Sequence, residues 1–211
     1  MAQLEEMIEG YRRFREIGWK RERERWSDLA EGQSPKVMVL ACSDSRVDPT
    51  LIFDARPGQM FVVRNVANLV PPYEANGGRH GVSAALEFAV TQLNVPEIVV
   101  MGHGSCGGVG ASLNHAFEGA PRGEGGFIAE WVSLLDEARD RVIAELGQGP
   151  EAVRALEYEC VKVSLANLRT FPGICEREAA GILRLRGAYF AIAEGVLYLL
   201  DETTGQFSPA A

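Results

Sequence analysis

At 211 residues the chain is long enough to bury a large share of its surface around one core, and it need not divide into separate domains. Apolar residues make up 46% and charged residues 24%, the balance of a soluble globular domain, and no run reaches the roughly 18 apolar residues of a membrane span. The net charge of −8 argues against nucleic acid, whose binding rests on clustered Lys and Arg. The four cysteines are too few for a disulfide framework, and residues 1–31 are too charged for a signal peptide, so a reducing cytoplasm is the expected compartment.

In chain order, residues 2–30 read as a helical arm with interleaved Glu and Arg on a solvated face. Tyr11, Phe14, Ile17 or Gly18, and Trp19 form a second, apolar stripe, expected to pack on the chain's own core or on a partner subunit. Beyond Gly32 and Pro35, Val37–Ala41 and Met60–Arg64 read as strands. Arg79–Leu93 reads as an amphipathic helix, Glu97–Met101 as a third strand and Gly107–Phe117 as a helix entered through glycines. A loop spans Pro121 to Gly126. Phe127–Leu146 and Glu151–Leu168 read as helices, with a short helix after Pro172 near Glu176–Leu183. Leu185–Glu194 and Val196–Asp201 read as strands joined at Gly195 in a hairpin. Strands that alternate with helices and carry continuous apolar runs predict an α/β fold with a mostly parallel central sheet, helices on both faces and an antiparallel edge strand. The expected organisation is one domain over 1–211, with a helical arm over 1–31 and an α/β core over 35–211.

Two short segments carry the chemistry: Ala41-Cys42-Ser43-Asp44-Ser45-Arg46 and Gly102-His103-Gly104-Ser105-Cys106-Gly107. Each follows an apolar run, so each is expected where a buried strand ends, the place where open parallel sheets collect ligands. Cys42, His103 and Cys106 supply three soft or borderline donors, the number a catalytic zinc takes while leaving a fourth position open. Asp44 and Arg46 place a held carboxylate beside them, an arrangement suited to making and using hydroxide. Cys160 and Cys175 read instead as small buried apolar residues. Two rival readings of these segments are weaker. Gly102, Gly104 and Gly107 satisfy a G-x-G-x-x-G dinucleotide pattern, but residues 120–183 offer loops and helices where that unit needs a strand with an acid. A Cys42 nucleophile with an Arg46 anion site fails because only three residues separate them and Asp44 would repel an anion.

The pairing C-x-D-x-R then H-x-x-C resembles the β-class carbonic anhydrases. The similarity extends to Gln33-Ser34-Pro35-Lys36, Pro57-Gly58, Phe61-Val62-Val63-Arg64-Asn65-Val66-Ala67-Asn68, Val70-Pro71-Pro72-Tyr73 and Cys106-Gly107-Gly108. It implies one Zn2+ per subunit on Cys42, His103 and Cys106, and reversible hydration of carbon dioxide to bicarbonate and a proton through zinc-bound hydroxide. Asp44 would orient the hydroxide, and Arg46 would hold Asp44 bidentately away from the metal. By the same resemblance Gln33 binds a substrate oxygen across a subunit boundary, Phe61 and Val66 line an apolar pocket, and Gly107 offers a backbone N–H. Phe88 falls where the plant-like subgroup has tyrosine, which puts a phenolic contribution there in doubt. A second subgroup carries an inhibitory bicarbonate pocket of Trp, Arg and Tyr. Here those positions are Val39, Arg64 and Phe190, so the chain resembles the plant-like subgroup, with Asp44 expected on Arg46 rather than on the metal. A homodimer or higher even oligomer is implied, wrapped by N-terminal helices. Of the remaining histidines, His80, beside Gly77 and Gly78, is a weak proton-shuttle candidate, and His115 reads as a surface residue. The alternatives are hydrolysis of carbonyl sulfide or carbon disulfide on the same fold, or a non-catalytic zinc module.

Overall fold

The computed structural model describes residues 3–76 and 79–211; Gly77 and Gly78, the neighbours noted beside His80, lie outside the described residues. Six strands form one sheet in the order β2-β1-β3-β4-β5-β6. They are β1 (Val37–Cys42), β2 (Met60–Asn65), β3 (Glu97–His103), β4 (Arg184–Ala191), β5 (Val196–Asp201) and β6 (Gln206–Pro209). The first four in that order run parallel, and β5 and β6 complete the sheet as an antiparallel edge. The sheet is thus the mostly parallel one expected from the alternation of elements, with β5 running against the other strands and β6 added outside it by a second antiparallel pairing.

β1 sits between two parallel neighbours and buries side chains on both faces, which is why its sequence is continuously apolar. Met38 and Leu40 join Ile98 and Val100 beneath α4 (Gly81–Glu87) and α8 (Pro150–Leu168). Val39 and Ala41 point the other way, with Met101, Ala188 and Ile52 of the short α3 (Pro49–Ile52). A third cluster lies at the carboxyl ends of the strands. It joins Cys42 and Cys106 to Val109 and Leu113 of α5 (Gly107–Leu113), Ala138 and Val142 of α7 (Asp136–Leu146), and Leu156 and Cys160 of α8. Where α8 crosses the sheet, two glycines make room for it. A Cβ on Gly102 would stand 2.8 Å from Val161 Cγ2, and one on Gly187 would stand 3.0 Å from Val161 Cγ1.

Several boundaries differ from the sequence reading, each for a local reason. The arm is broken: α1 (Gln3–Arg13) passes through a wide π turn over Phe14–Trp19, and α2 (Arg23–Glu31) begins after Glu22 leaves helical geometry. The helix expected over Gly107–Phe117 stops at Leu113, because Asn114 bonds back to the Gly110 carbonyl at 2.8 Å and His115 and Phe117 turn left-handed at φ 50° and 68°. The helix expected over Phe127–Leu146 divides into α6 (Gly126–Val132), a 3₁₀ turn over Ser133–Leu135 and α7; Ser133 Oγ donates to the Glu130 carbonyl at this break. The helix placed near Glu176–Leu183 is α9 (Pro172–Ala179), led by a proline at its first position, where the missing N–H costs nothing. The short helix α3 and the edge strand β6 have no counterpart among the elements expected from the sequence. Cys175 is exposed rather than buried, while Cys160 is fully buried and donates to the Ala67 carbonyl at 3.0 Å, so it is more than an apolar filler.

Candidate metal centre

Cys42 is the last residue of β1 and His103 the last of β3, its parallel neighbour. The ends of two adjacent strands therefore deliver a thiol and an imidazole to the same edge. A turn of two residues brings Cys106 back as the N-cap of α5. The turn is held open in an unusual shape, with Ser105 left-handed at φ 55°. The three donor atoms lie within 4.8 Å of one another, and all three residues are buried.

The donor set fits a zinc ion. The two sulfurs stand 4.0 Å apart, close to the roughly 3.8 Å expected between two sulfurs bound tetrahedrally at about 2.3 Å. His103 Nδ1 lies 2.9 Å from the Gly104 carbonyl, which can only accept, so the proton belongs on Nδ1 and the lone pair on Nε2. Nε2 is buried and has no hydrogen-bond partner among the described residues. A buried lone pair beside two thiols is suited to a metal, since leaving it without a partner costs a desolvated polar group. Two sulfurs and one imidazole favour zinc over a hard cation.

The thiols share their electrostatics. The Cys42 thiol is pushed down to about 4, chiefly by the hydrogen bond from Cys106; burial opposes this and His103 supports it. The same bond, with burial, pushes Cys106 far up. These opposite shifts favour one proton shared between the two sulfurs when no metal is bound. Burial works against the charged form of His103, yet the nearby Cys42, the Gly104 carbonyl and Asp44 together outweigh it and raise the imidazole.

Asp44 stands beside this group. Its Oδ1 accepts from the Arg46 backbone N–H and from Nε, each at 2.9 Å, and its Oδ2 accepts from Nη2 at 2.6 Å. Oδ2 also faces His103 Nε2 at 4.0 Å. The Arg46 guanidinium holds the Asp44 carboxyl well below the usual carboxylate range despite the cost of burial. Arg46 Nη2 further donates to the Ser105 carbonyl at 3.0 Å, so one guanidinium ties the two donor-bearing segments together.

Of the expected pocket residues, Val66 is brought to the centre. It packs against Gly108, where an added Cβ would stand 2.7 Å from Val66 Cγ1, and its carbonyl accepts from Trp131 Nε1 at 2.8 Å. The space in front of Gly107 is open, with nothing within 4 Å of an added Cβ. Phe61 and Phe88 stack on each other with centroids 5.9 Å apart, on the face of the sheet shared with α4. Phe88 and His80 line a cleft of about 650 Å³ with Tyr73 and Phe171, and none of the three donors lines it. Gln33 is exposed on the loop between α2 and β1 and makes no hydrogen bond to any of these groups. His115 is exposed in the turn after α5.

Two residues support the site in roles the sequence does not expose: Arg64, noted only as the arginine of a bicarbonate pocket, and Glu157. Arg64 donates to the Cys42 carbonyl at 2.9 Å, to the Asp44 carbonyl at 2.6 Å and to Asp48 Oδ2 at 3.2 Å, bracing the whole first segment. Glu157 bonds the Cys106 backbone from below. A signal for it existed: an acid set among buried Leu156, Cys160 and Val161 is out of place on an apolar helix face.

A buried Cys2His site at the carboxyl end of a parallel sheet, flanked by a clamped carboxylate, defines a zinc-enzyme architecture. The sequence profile of the carbonic anhydrases matches residues 37–197. Beta carbonic anhydrase 3 of Arabidopsis thaliana is 35% identical over 212 residues, covering 97% of this chain and 81% of that protein. A carbonic anhydrase of Synechocystis sp. is 33% identical over 208 residues, covering 97% and 73%. The structure of the β-carbonic anhydrase CcaA superposes with a TM-score of 0.91 at 32% identity, over 100% of this chain and 93% of that one. The chain belongs to the β-carbonic anhydrase family.

Proposed function

We propose that the protein catalyses the reversible hydration of carbon dioxide to bicarbonate and a proton. The observation that carries this reading is the convergence of Cys42, His103 and Cys106 within 4.8 Å, next to a carboxylate that Arg46 holds by two side-chain bonds. Cys42, His103 and Cys106 would hold one zinc ion, whose Lewis acidity makes water reactive near neutral pH.

The chain's own residues do the rest. Asp44, kept ionised, accepts a hydrogen bond from the attacking water at Oδ2 and turns its lone pair toward the carbon of the substrate. Because its pKa is depressed, Asp44 orients that water without itself retaining the proton. Arg46 fixes the direction of the carboxylate, and Arg64 fixes the backbone on both sides of Ser43. Val66 supplies apolar wall, and the Gly107 backbone N–H is offered to an oxygen of substrate or product. Val39 and Phe190 replace two of the three residues an inhibitory bicarbonate pocket needs, and Arg64 is engaged elsewhere, which supports the unregulated, plant-like kind.

The active unit is at least a homodimer in this reading. Leu4, Met7, Ile8 and Tyr11 form an exposed apolar row on α1, and a second copy would cover it. A solved relative from Sordaria macrospora, 25% identical with a TM-score of 0.80, is described as tetrameric. Among the described residues no helix is long and apolar enough to cross a membrane. Stopped-flow measurement of carbon dioxide hydration with a pH indicator, on zinc-loaded protein, tests the activity. Acceleration far above buffer is expected; the buffer rate alone rejects it. Headspace consumption of carbonyl sulfide or carbon disulfide in place of hydration would assign the sulfur substrates instead.

A further inference from the structure

Glu157, on α8, is among the described residues the one buried carboxyl group that the mechanism above does not use, and only 2% of its surface is exposed. Its Oε1 accepts the Cys106 backbone N–H at 3.0 Å, and its Oε2 accepts the Tyr189 hydroxyl at 2.7 Å. Tyr189 is itself fully buried on β4, and its hydroxyl lies against the metal-site turn: a Cβ on Gly104 would come within 3.0 Å of it. The nearest guanidinium, that of Arg154, keeps its Nε 3.9 Å away. A carboxyl group buried this deeply is tolerated only where hydrogen bonds replace its water, and here one of those bonds ends on a donor residue.

The turn from His103 to Cys106 sets the separation of two of the three donors, and it contains the left-handed Ser105. It is gripped from opposite sides. Arg46 takes the Ser105 carbonyl from the exposed side, and Glu157 takes the Cys106 N–H from the core. The strand leading into the turn also rests on the same helix, since a Cβ on Gly102 would lie 3.6 Å from the Glu157 carbonyl.

We infer that Glu157 is a positioning residue of the metal centre: braced by the Tyr189 hydroxyl, it fixes Cys106 relative to His103 through the Cys106 N–H. The inference rests on the assignment of Cys42, His103 and Cys106 as metal ligands. Burial, followed by the bond to Glu157, pushes the Tyr189 phenol up, so the brace stays a donor. A glutamine at 157 can still accept from Cys106 N–H, whereas an alanine cannot.

The test uses the full chain loaded with cobalt(II) or zinc. The thiolate-to-cobalt absorption and the ligand-field bands report donor geometry, and a chromophoric chelator times zinc release. Glu157→Ala is expected to shift the ligand-field bands and release zinc at least about tenfold faster, the usual scale for losing an outer-shell partner, with Glu157→Gln within roughly threefold of wild type. Tyr189→Phe should fall between them. Unchanged bands and wild-type release in Glu157→Ala overturn the assignment, because a purely structural role would lower thermal stability without moving either. If Glu157→Ala does not fold, Tyr189→Phe decides: faster release supports the inference, and wild-type bands and release overturn it. A wild-type chain that takes up no cobalt would refute the ligand set itself.

Discussion

Replacing Gly102 by alanine tests whether the seat of α8 on the sheet is as tight as the structure shows. The new Cβ would stand 2.8 Å from Val161 Cγ2, a contact real methyl groups do not make, and Val161 is fully buried with nowhere to turn. Overpacking of this kind costs about 1–3 kcal/mol. Removing a glycine from a strand returns about 0.5–1 kcal/mol, so the net loss should be about 1–2 kcal/mol, or a fall in Tm of roughly 2–8 °C for a chain of this size. Val161→Ala alone leaves a cavity and should cost about 2 kcal/mol. The double variant should lose less than the sum, because the added methyl fills part of the vacated space; a coupling of about 1 kcal/mol or more is expected. Gly187→Ala is the control. Its Cβ would also meet Leu200 Cβ and Cδ2, each at 2.9 Å, so Val161→Ala should relieve it poorly. Urea unfolding followed by circular dichroism, at fixed protein and zinc concentrations, reads all five variants. A Gly102→Ala protein as stable as wild type, or strict additivity in the cycle, would refute the packing argument.

The clamp on Asp44 predicts that Asp44→Ala keeps one metal per chain but loses about a hundredfold or more in kcat/KM, the scale of a misplaced reacting group; Arg46→Lys, able to replace only one of the two side-chain bonds, should lose less. Loss of metal in Asp44→Ala would make Asp44 a ligand instead. Because the two sulfurs share one proton in the metal-free chain and metal binding must expel it, the apparent zinc affinity should rise about tenfold per pH unit, and more steeply below the raised His103 pKa, where a second proton leaves. Competition against a chelator from weakly acid to weakly alkaline pH measures this, and a flat profile would refute the shared-proton pair. Deleting residues 1–31 should yield a monomer with little activity in sedimentation and stopped-flow assays.

The parts of the fold that residue patterns expose are those buried on two sides. β1 and β3 are unbroken apolar runs because both faces of each are covered, and their ends mark the metal site without further help. Elements decided by a few polar contacts are harder to read. α3 exists because Asp48 caps it, taking the Thr50 N–H at 2.8 Å ahead of Pro49, and four residues carry no periodic pattern. β6 is exposed apart from Phe207, so it lacks the alternation that identifies a strand. The break between α6 and α7 turns on one serine hydroxyl bonding back into its own helix.

The ligand pattern was legible for the same reason that its supports were not. Cys42, Asp44 and Arg46 lie within five residues, and His103 and Cys106 within four, so local spacing brings each set together. Arg64 and Glu157 act on those segments from 22 and 51 residues away, distances bridged only when β2 pairs with β1 and α8 crosses beneath β3.

The arm remains the element whose sequence makes least sense in a single chain. α1 has eleven residues, none of them buried, and an isolated helix of that length is marginal in water. Glu5 and Glu6 sit in its first turn and Arg12 and Arg13 in its last, which favours the helix but not enough to hold it alone. Tyr11 is 57% exposed and Ile17 65%, whereas Phe14 makes an edge contact with Trp26 at 5.8 Å that folds the arm onto itself. α2 is anchored to the core, through Arg25 Nε on the Pro57 carbonyl and Leu29 against Gly58, so the arm cannot swing freely. Its apolar row is therefore presented at a fixed place, joined through α2 to the loop that carries Gln33. A second copy seated on that row would cover it and bring subunit boundaries close to Gln33, an expected substrate contact that this chain does not place beside its own donors. Loss of the arm should for that reason reduce association and catalysis together, and an arm-deleted monomer with full activity would separate the two and remove Gln33 from the site.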